Sequence, residues 1–273
     1  MSRSRRAPCL GGDCKGDPLM GERVGIIGTG HLAGYLVEGL RRAKPDLEIV
    51  LSPRNAAKAA ELASRFGARV ARCNQEVVDT TDVVMLTTRP VQAIAALGEL
   101  TLRAGQLIIS AAATVELRDL EPAAAPATVV RALPLSCAAV NASPTLLYPD
   151  HDRARTLLEL VGDVHRLESE EAFIRASVIS AFYGWVVALL DETARWTAEG
   201  GVPREVARGI VLETVRGAAG LGLAQPEQEL SDLLEALATP GGITRHGLAI
   251  VRDRGGLSAW IEALDAVYAR LRL

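Results

Sequence analysis

The stretch Val24-Gly25-Ile26-Ile27-Gly28-Thr29-Gly30-His31-Leu32-Ala33 decides how the rest of the chain is read. A short apolar run enters a G-x-G-x-x-A turn and continues directly into HLAGYLVEGLRRA, which has helical spacing. Strand, tight turn and helix start are the context that gives a glycine pattern meaning as a dinucleotide-binding fingerprint. Gly28 permits the turn, Gly30 lets a pyrophosphate approach the backbone, and Ala33 keeps the helix close to the sheet. The anion would rest on free amides at the helix N-terminus, which makes Gly28, Thr29, Gly30, His31 and Leu32 the candidate phosphate contacts.

Outward from this turn, β-rich runs alternate with helical segments. EIVLS, ARVAR, DVVMLTT and QLIISAA follow VGIIGTG, and NAAKAAELASRFG lies between two of them. Continuous Val, Ile and Leu strands alternating with helices predict a parallel sheet covered on both faces, an N-terminal Rossmann-type doubly wound α/β domain over residues 22–150. The pattern changes near Pro149 and Asp150. From about Glu168 the apolar residues recur at helical spacing, which predicts an all-helical C-terminal dimerisation domain over 165–273, broken at Gly200-Gly201-Val202-Pro203. The Ala-rich stretch Ala123 to Ala127 reads as a loop. The opening residues 1–21 carry three arginines without a following apolar run, so they lack a secretory hydrophobic region and read as a disordered tail.

Composition narrows the function classes. The chain has 273 residues, 49% apolar and 23% charged, with a formal net charge of −3. That balance offers no basic field for nucleic acid or an anionic membrane and favours a small-molecule substrate. The four cysteines, Cys9, Cys14, Cys73 and Cys137, have neither disulfide-scaffold density nor paired zinc-ligand spacing, so the sequence predicts a cytoplasmic protein without a metal. The apolar stretch Ala176 to Leu190 is too short by itself to span a bilayer and reads as a buried helix. It is apolar nearly all round, so a second copy of the chain is the simplest cover, giving a homodimer or higher homo-oligomer.

After the second strand, where an NAD site usually places an acid, the chain reads Leu51-Ser52-Pro53-Arg54-Asn55. Ser52, Arg54 and Asn55 can donate to the additional phosphate of NADP, which makes NADP(H) the expected cofactor. The competing reading is a solvated Arg54 beside an Asn55 that caps the next helix.

From Val24 to the C-terminus the order of motifs resembles the pyrroline-5-carboxylate reductase family. GIIGTGHLAGYLVEGL is similar to its phosphate loop, SPRN to its adenine-ribose phosphate site, and NQEVVDTTDVVMLTTRP to its segment before a proline. The resemblance implies cofactor contacts from Asn74, Thr87, Thr88 and Arg89, and from Ala113 in SAAAT. VVRALPLSCAAVNASPTLLYP retains the family's Arg131 and Pro134, but Leu135-Ser136-Cys137 replaces its Asn-Thr-Pro. VPREVARGIVLETVRGAAGL resembles its dimer-forming helices. Thr239-Pro240-Gly241-Gly242-Ile243-Thr244 matches its Ser-Pro-Gly-Gly-x-Thr signature and implies substrate contacts from Thr239, Gly242, Ile243 and Thr244. Thr244 would bond the substrate's ring nitrogen or carboxylate.

One departure is as specific as the matches. Ser180-Ala181-Phe182-Tyr183-Gly184-Trp185 stands where the family has Gly-Ser-Gly-Pro-Ala-Tyr along its substrate site. The aromatics read either as a reshaped pocket or as helix packing. Tyr183 is a candidate proton donor, and His246 a candidate substrate contact or donor, with a helix cap as its alternative. His151 and His165 read as surface residues, and Arg245 as a solvated charge rather than a carboxylate clamp. The resemblance implies NADPH-dependent reduction of a cyclic imine in proline biosynthesis. A reductase of a different imine or carbonyl and a non-catalytic NADP-binding module are the alternatives.

Overall fold

The computed structural model describes residues 21–272, so the tail reading for 1–20, with Cys9 and Cys14, lies outside the described residues. The described residues divide between Phe173 and Ile174 into two compact units.

In the first unit the alternation seen in the sequence becomes β1 (Arg23–Ile27), α1 (His31–Ala43), β2 (Glu48–Leu51), α2 (Ala56–Phe66), β3 (Arg69–Val70), α3 (Asn74–Thr80), β4 (Val83–Leu86), α4 (Pro90–Gly98) and β5 (Leu107–Ser110). These are followed by α5 (Leu117–Ala124), β6 (Thr128–Leu133), β7 (Thr145–Tyr148), α6 (Asp152–Leu158) and β8 (Val164–Arg166). The eight strands form one sheet in the order β3-β2-β1-β4-β5-β6-β7-β8. All neighbours are parallel except β6 and β7. Strands β1, β4 and β5 are buried on both faces, which explains their unbroken apolar runs. The two buried clusters either side contain Val24, Ile26, Leu36 and Leu40 on one face and Ile27, Val84, Leu86 and Ile108 on the other.

The structure departs from the sequence reading in three places. The sheet continues past residue 150, because Thr145–Tyr148 turns back against β6 and the three-residue β8 adds to it. The Ala-rich stretch is partly helical: α5 runs through Pro122 to Ala124, and only the residues after it form a turn. His151 is half-buried as the residue before α6, with its Nδ1 enclosed and unpartnered, whereas His165 is exposed as expected.

Helix α1 is drawn tightly onto the 3₁₀ turn Ser136–Val140. A Cβ on Gly39 would stand 2.0 Å from the Ala138 carbonyl oxygen, so only glycine allows the approach. Asn141, at φ 56, closes the turn by donating to the carbonyls of Gly39 (2.8 Å) and Leu160 (2.6 Å).

The second unit is helical. It contains α8 (Ile179–Glu199), α9 (Arg204–Ala224), α10 (Leu230–Leu237), α11 (Ile243–Asp253) and α12 (Gly256–Leu271), with α7 (Glu170–Ser177) leading into it. Helices α8, α10, α11 and α12 contain no buried residue, and only Ala207 and Val211 are buried on α9. Ser177 and Val178 at the start of the stretch expected as a buried helix are buried, but from Ile179 onward it is largely uncovered within a single chain: Val187 and Leu189 are more than half exposed. With its flanks it forms the helical segment 170–199, which by length and composition alone is long and apolar enough to cross a membrane.

In the first turn of α3, Glu76 accepts from the Arg72 amide (2.8 Å), the Arg72 side chain (2.9 Å) and Arg69 (2.6 Å). Those donors, led by the Arg72 amide, hold its carboxyl at about 2, against an ordinary 4.5. A carboxylate depressed on folding stabilises the protein at pH above its unfolded value and loses that contribution as pH falls through the folded one. Glu76→Gln should therefore lower the melting temperature at neutral pH. The difference from the parent should shrink steadily as melts are repeated from pH 5 toward pH 2.

Candidate functional site

The first cluster of predicted residues gathers at the carboxyl ends of β1, β2 and β4, the edge at which open α/β sheets bind ligands. Gly28 sits at φ 104, and a Cβ there would meet the Thr88 nitrogen at 2.7 Å and the Thr87 carbonyl carbon at 2.8 Å. Two hydroxyls brace the turn from the neighbouring strands. Thr87 Oγ1 donates to the Gly28 carbonyl at 2.6 Å, and Ser52 Oγ accepts the Gly28 amide at 3.0 Å.

Past the turn, α1 begins at His31 with Gly30 before it. No side chain caps this helix start and its first turn holds no acid, so its leading amides and the helix dipole are free to meet an anion. A Cβ on Gly30 would touch nothing within 4 Å, so the approach is open. Thr29 is 3% exposed, and its Oγ1 is buried without a partner, as is Thr88 Oγ1 on the facing loop. Buried hydroxyls without partners are uncommon and costly, and two of them beside an uncapped helix start mark where polar ligand atoms fit.

The remaining predicted residues divide. Ser52 is fully buried and its oxygen is occupied by Gly28, so it shapes the glycine turn from beneath. Arg54 is exposed just beyond β2. Asn55 accepts the Lys58 amide at 3.3 Å as the cap of α2, the alternative that the sequence left open for it. Asn74 opens α3 and is half-buried, Arg89 is exposed immediately before α4, and His31 and Leu32 are the first residues of α1. Ala113 lies in the loop after β5, where its carbonyl accepts from the buried Arg131 at 2.6 Å. The sequence pointed to Arg131 only through a motif, and its pairing with Glu170, 39 positions away, left no local signal.

In the second unit, Thr239-Pro240-Gly241-Gly242 links α10 to α11. Gly241 has φ 75, and the Gly242 amide donates to the Thr239 carbonyl at 3.0 Å. Helix α11 starts uncapped and without an acid in its first turn, which places Ile243, Thr244 and His246, all exposed, around its N-terminus. Arg245 Nε donates to the Ala238 carbonyl at 2.8 Å, so this arginine is fastened to its own turn rather than solvated throughout. Phe182 and Trp185 on α8 both meet Trp260 on α12 edge-on, with ring centroids 5.5 and 6.2 Å apart. Of the two readings of the altered segment, this contact is the helix-packing one. Tyr183, between them, is half-buried. A separate cleft of about 730 Å³ between α8 and α9, lined by Val187, Leu190, Val211 and Leu212 with Arg195 and Glu199, contains none of the predicted site residues.

The arrangement defines a dinucleotide-binding α/β protein carrying a helical second unit. Residues 23–114 match the family described as NADP oxidoreductase, coenzyme F420-dependent, and residues 171–273 match the pyrroline-5-carboxylate reductase dimerisation family. Among curated relatives, the pyrroline-5-carboxylate reductase of Synechocystis sp. is 28% identical over 262 residues, covering 92% of this chain and 97% of its own. That of Pseudomonas aeruginosa is 29% identical over 265 residues, covering 91% and 95%. The solved 1-pyrroline-5-carboxylate reductase of Streptococcus pyogenes superposes with a TM-score of 0.80 at 25% identity, covering 91% of this chain and 97% of that one. The Plasmodium falciparum pyrroline carboxylate reductase, solved with NADP bound, shares the fold with a TM-score of 0.78 at 17% identity, covering 92% and 97%. The chain is thus similar to pyrroline-5-carboxylate reductases over about nine-tenths of its length, and its residues 171–273 match their dimerisation region. Its C-terminal match supplies a protein partner for the apolar faces that α8 and its neighbours leave uncovered.

The glycine turn separates two kinds of constraint. Gly28→Ala forces a side chain into a positive-φ position against backbone and should destabilise the protein by about 1–3 kcal/mol. Gly30→Ala meets open space and should melt with the parent. Equal losses in thermal melts of the two variants would contradict this division.

Proposed function

We propose that the chain is an NADPH-dependent reductase of a cyclic imine, working as a homodimer. The observation that carries this reading is the uncapped, acid-free start of α1 beside the buried, unpartnered hydroxyls of Thr29 and Thr88. The residues fit a dinucleotide. Gly28 to Leu32 would hold the pyrophosphate on backbone amides, Arg54 the ribose phosphate, and Thr87, Thr88, Arg89, Asn74 and Ala113 the remainder. Asn55 keeps an amide group for the same phosphate while its oxygen caps α2.

When bound, NADPH supplies the hydride. The protein's own share is orientation: reduction of a protonated imine needs the two reacting carbons held near contact and little covalent assistance. On the second unit, the free amides at the start of α11 and the hydroxyl of Thr244 suit a substrate carboxylate or ring nitrogen, with Thr239, Gly242 and Ile243 shaping the turn. His246 and Tyr183 are the candidates for keeping a proton on that nitrogen.

The substrate class has two readings, and the second rests on a particular observation. The family's Gly-Ser-Gly-Pro-Ala-Tyr is replaced by Ser180 to Trp185, and the incoming rings are packed on Trp260. Phe182 and Trp185 are taken up by packing, but the small residues that the family has here are gone, and that loss motivates a cyclic imine of different shape from pyrroline-5-carboxylate as the second reading. NADPH consumption should be followed with 1-pyrroline-5-carboxylate, piperideine-2-carboxylate and a panel of bulkier cyclic imines. Turnover of the first supports proline formation, turnover of only the others supports the second reading, and tight NADPH binding with no turnover supports a non-catalytic NADP-binding module.

The cofactor half is testable on its own. An exposed arginine paired with a phosphate sits at the low end of charge-assisted bonds, so Arg54→Ala should weaken NADPH binding about tenfold. NADH binding should be unaffected. Gly30→Ala should lose affinity for both cofactors in the same titrations, and undiminished affinity would remove the pyrophosphate from this turn.

A further inference from the structure

Arg131, at the carboxyl end of β6, is 1% exposed, and it is the largest fully buried side chain among the described residues. Its Nη2 donates to the Ala113 carbonyl at 2.6 Å, and its Nη1 donates to Glu170 Oε1 at 2.6 Å. The same carboxylate oxygen accepts the amide of Leu117, the first residue of α5, at 2.8 Å. The guanidinium lies over the Phe173 ring, 4.5 Å from its centroid, and its Nε is buried without an acceptor. A buried arginine with an orphaned donor, paired with a carboxylate that is itself only partly buried, is a poor way to stabilise a core, since apolar side chains of similar volume commonly do as well or better. Packing alone therefore does not account for an arginine here.

What the arginine does is hold a loop at its middle and at its exit. The loop 111–116 leaves the sheet after Ser110, which is in register with Arg131 on the neighbouring strand. Its middle is fixed by the bond to the Ala113 carbonyl, and its exit into α5 is fixed through Glu170 to the Leu117 amide. This loop occupies the ligand edge of the sheet, on the side of β4 away from β2 and Arg54.

We propose that Arg131 is a positioning residue, which holds the 111–116 loop in the shape that receives the nicotinamide end of the dinucleotide. The proposal rests on the cofactor reading above. Lysine keeps the charge but lacks the planar fork needed to serve a carbonyl and a carboxylate at once. Glutamine at position 170 keeps the acceptor and the size of glutamate but removes the charge that strengthens both bonds.

The test compares Arg131→Lys and Glu170→Gln with the parent in the full chain, titrating NADPH and, separately, adenosine 2′,5′-bisphosphate, which carries only the adenine end. Misplacing the loop should weaken NADPH roughly tenfold and lower kcat more than it raises KM with whichever imine is turned over. Bisphosphate affinity should stay within about twofold of the parent, because its site lies across the sheet. A general loss of structure would instead weaken both ligands alike, and that result, or unchanged NADPH binding, would overturn the proposal. If Arg131→Lys does not fold, Glu170→Gln carries the same comparison. A parent chain that binds neither ligand removes the cofactor reading itself, and the positioning role falls with it.

Discussion

The narrow gap beneath Gly28 sets the geometry of the first unit. Three strands converge there, and no side chain fits between the end of β1 and the Thr87–Thr88 backbone. Because the turn must cross at that distance, its amide and carbonyl need partners that come from beside it, and Ser52 and Thr87 provide them from the adjoining strand ends. With the turn's own polar groups satisfied from below, the amides that follow it at the start of α1 remain unclaimed. The binding edge thus follows from a steric constraint inside the sheet, and the hydroxyls at this edge have opposite tasks. Those of Ser52 and Thr87 serve the backbone, whereas those of Thr29 and Thr88 have no partner in the protein.

The second unit follows a different rule. Its helices leave large apolar side chains exposed along their length, among them Ile179, Leu189, Ile210, Leu223 and Ile261. Exposed apolar area of that extent is a mark of an interaction surface. The match of this region to a dimerisation family accounts for an apolar helix that is exposed in the single chain.

Legibility from the sequence tracked the range of the interactions involved. The β1 turn, the strands through β5 and the Gly200 to Pro203 break were readable because periodicity, glycine placement and helix boundaries are local properties. Strands β7 and β8 were not, since one is four residues and the other three, and only pairing with β6 and with each other distinguishes them from loops. Ser52 was read as a donor to a ligand because it stands in the right place after β2. Its burial depends on the facing turn, 24 positions earlier, which no local pattern records. The Phe182 and Trp185 contacts with Trp260 were undecidable for the same reason: helical spacing assigns a face but not the residue opposite.

These two styles of construction explain how the family fold is compatible with the altered segment at Ser180 to Trp185. Residues that form the glycine turn have little freedom, because a Cβ at Gly28 collides with backbone. The segment on α8 is fixed by softer contacts between rings, and its neighbours on that helix are exposed in the single chain. Edge-on aromatic contacts tolerate changes of size better than a backbone-to-backbone approach does, since side chains can change rotamer where a strand cannot shift without losing its register. Small residues on α8 can therefore be exchanged for rings, provided a partner such as Trp260 receives them, without disturbing the dinucleotide edge. Divergence in what is reduced is physically cheaper in this architecture than divergence in the source of the electrons.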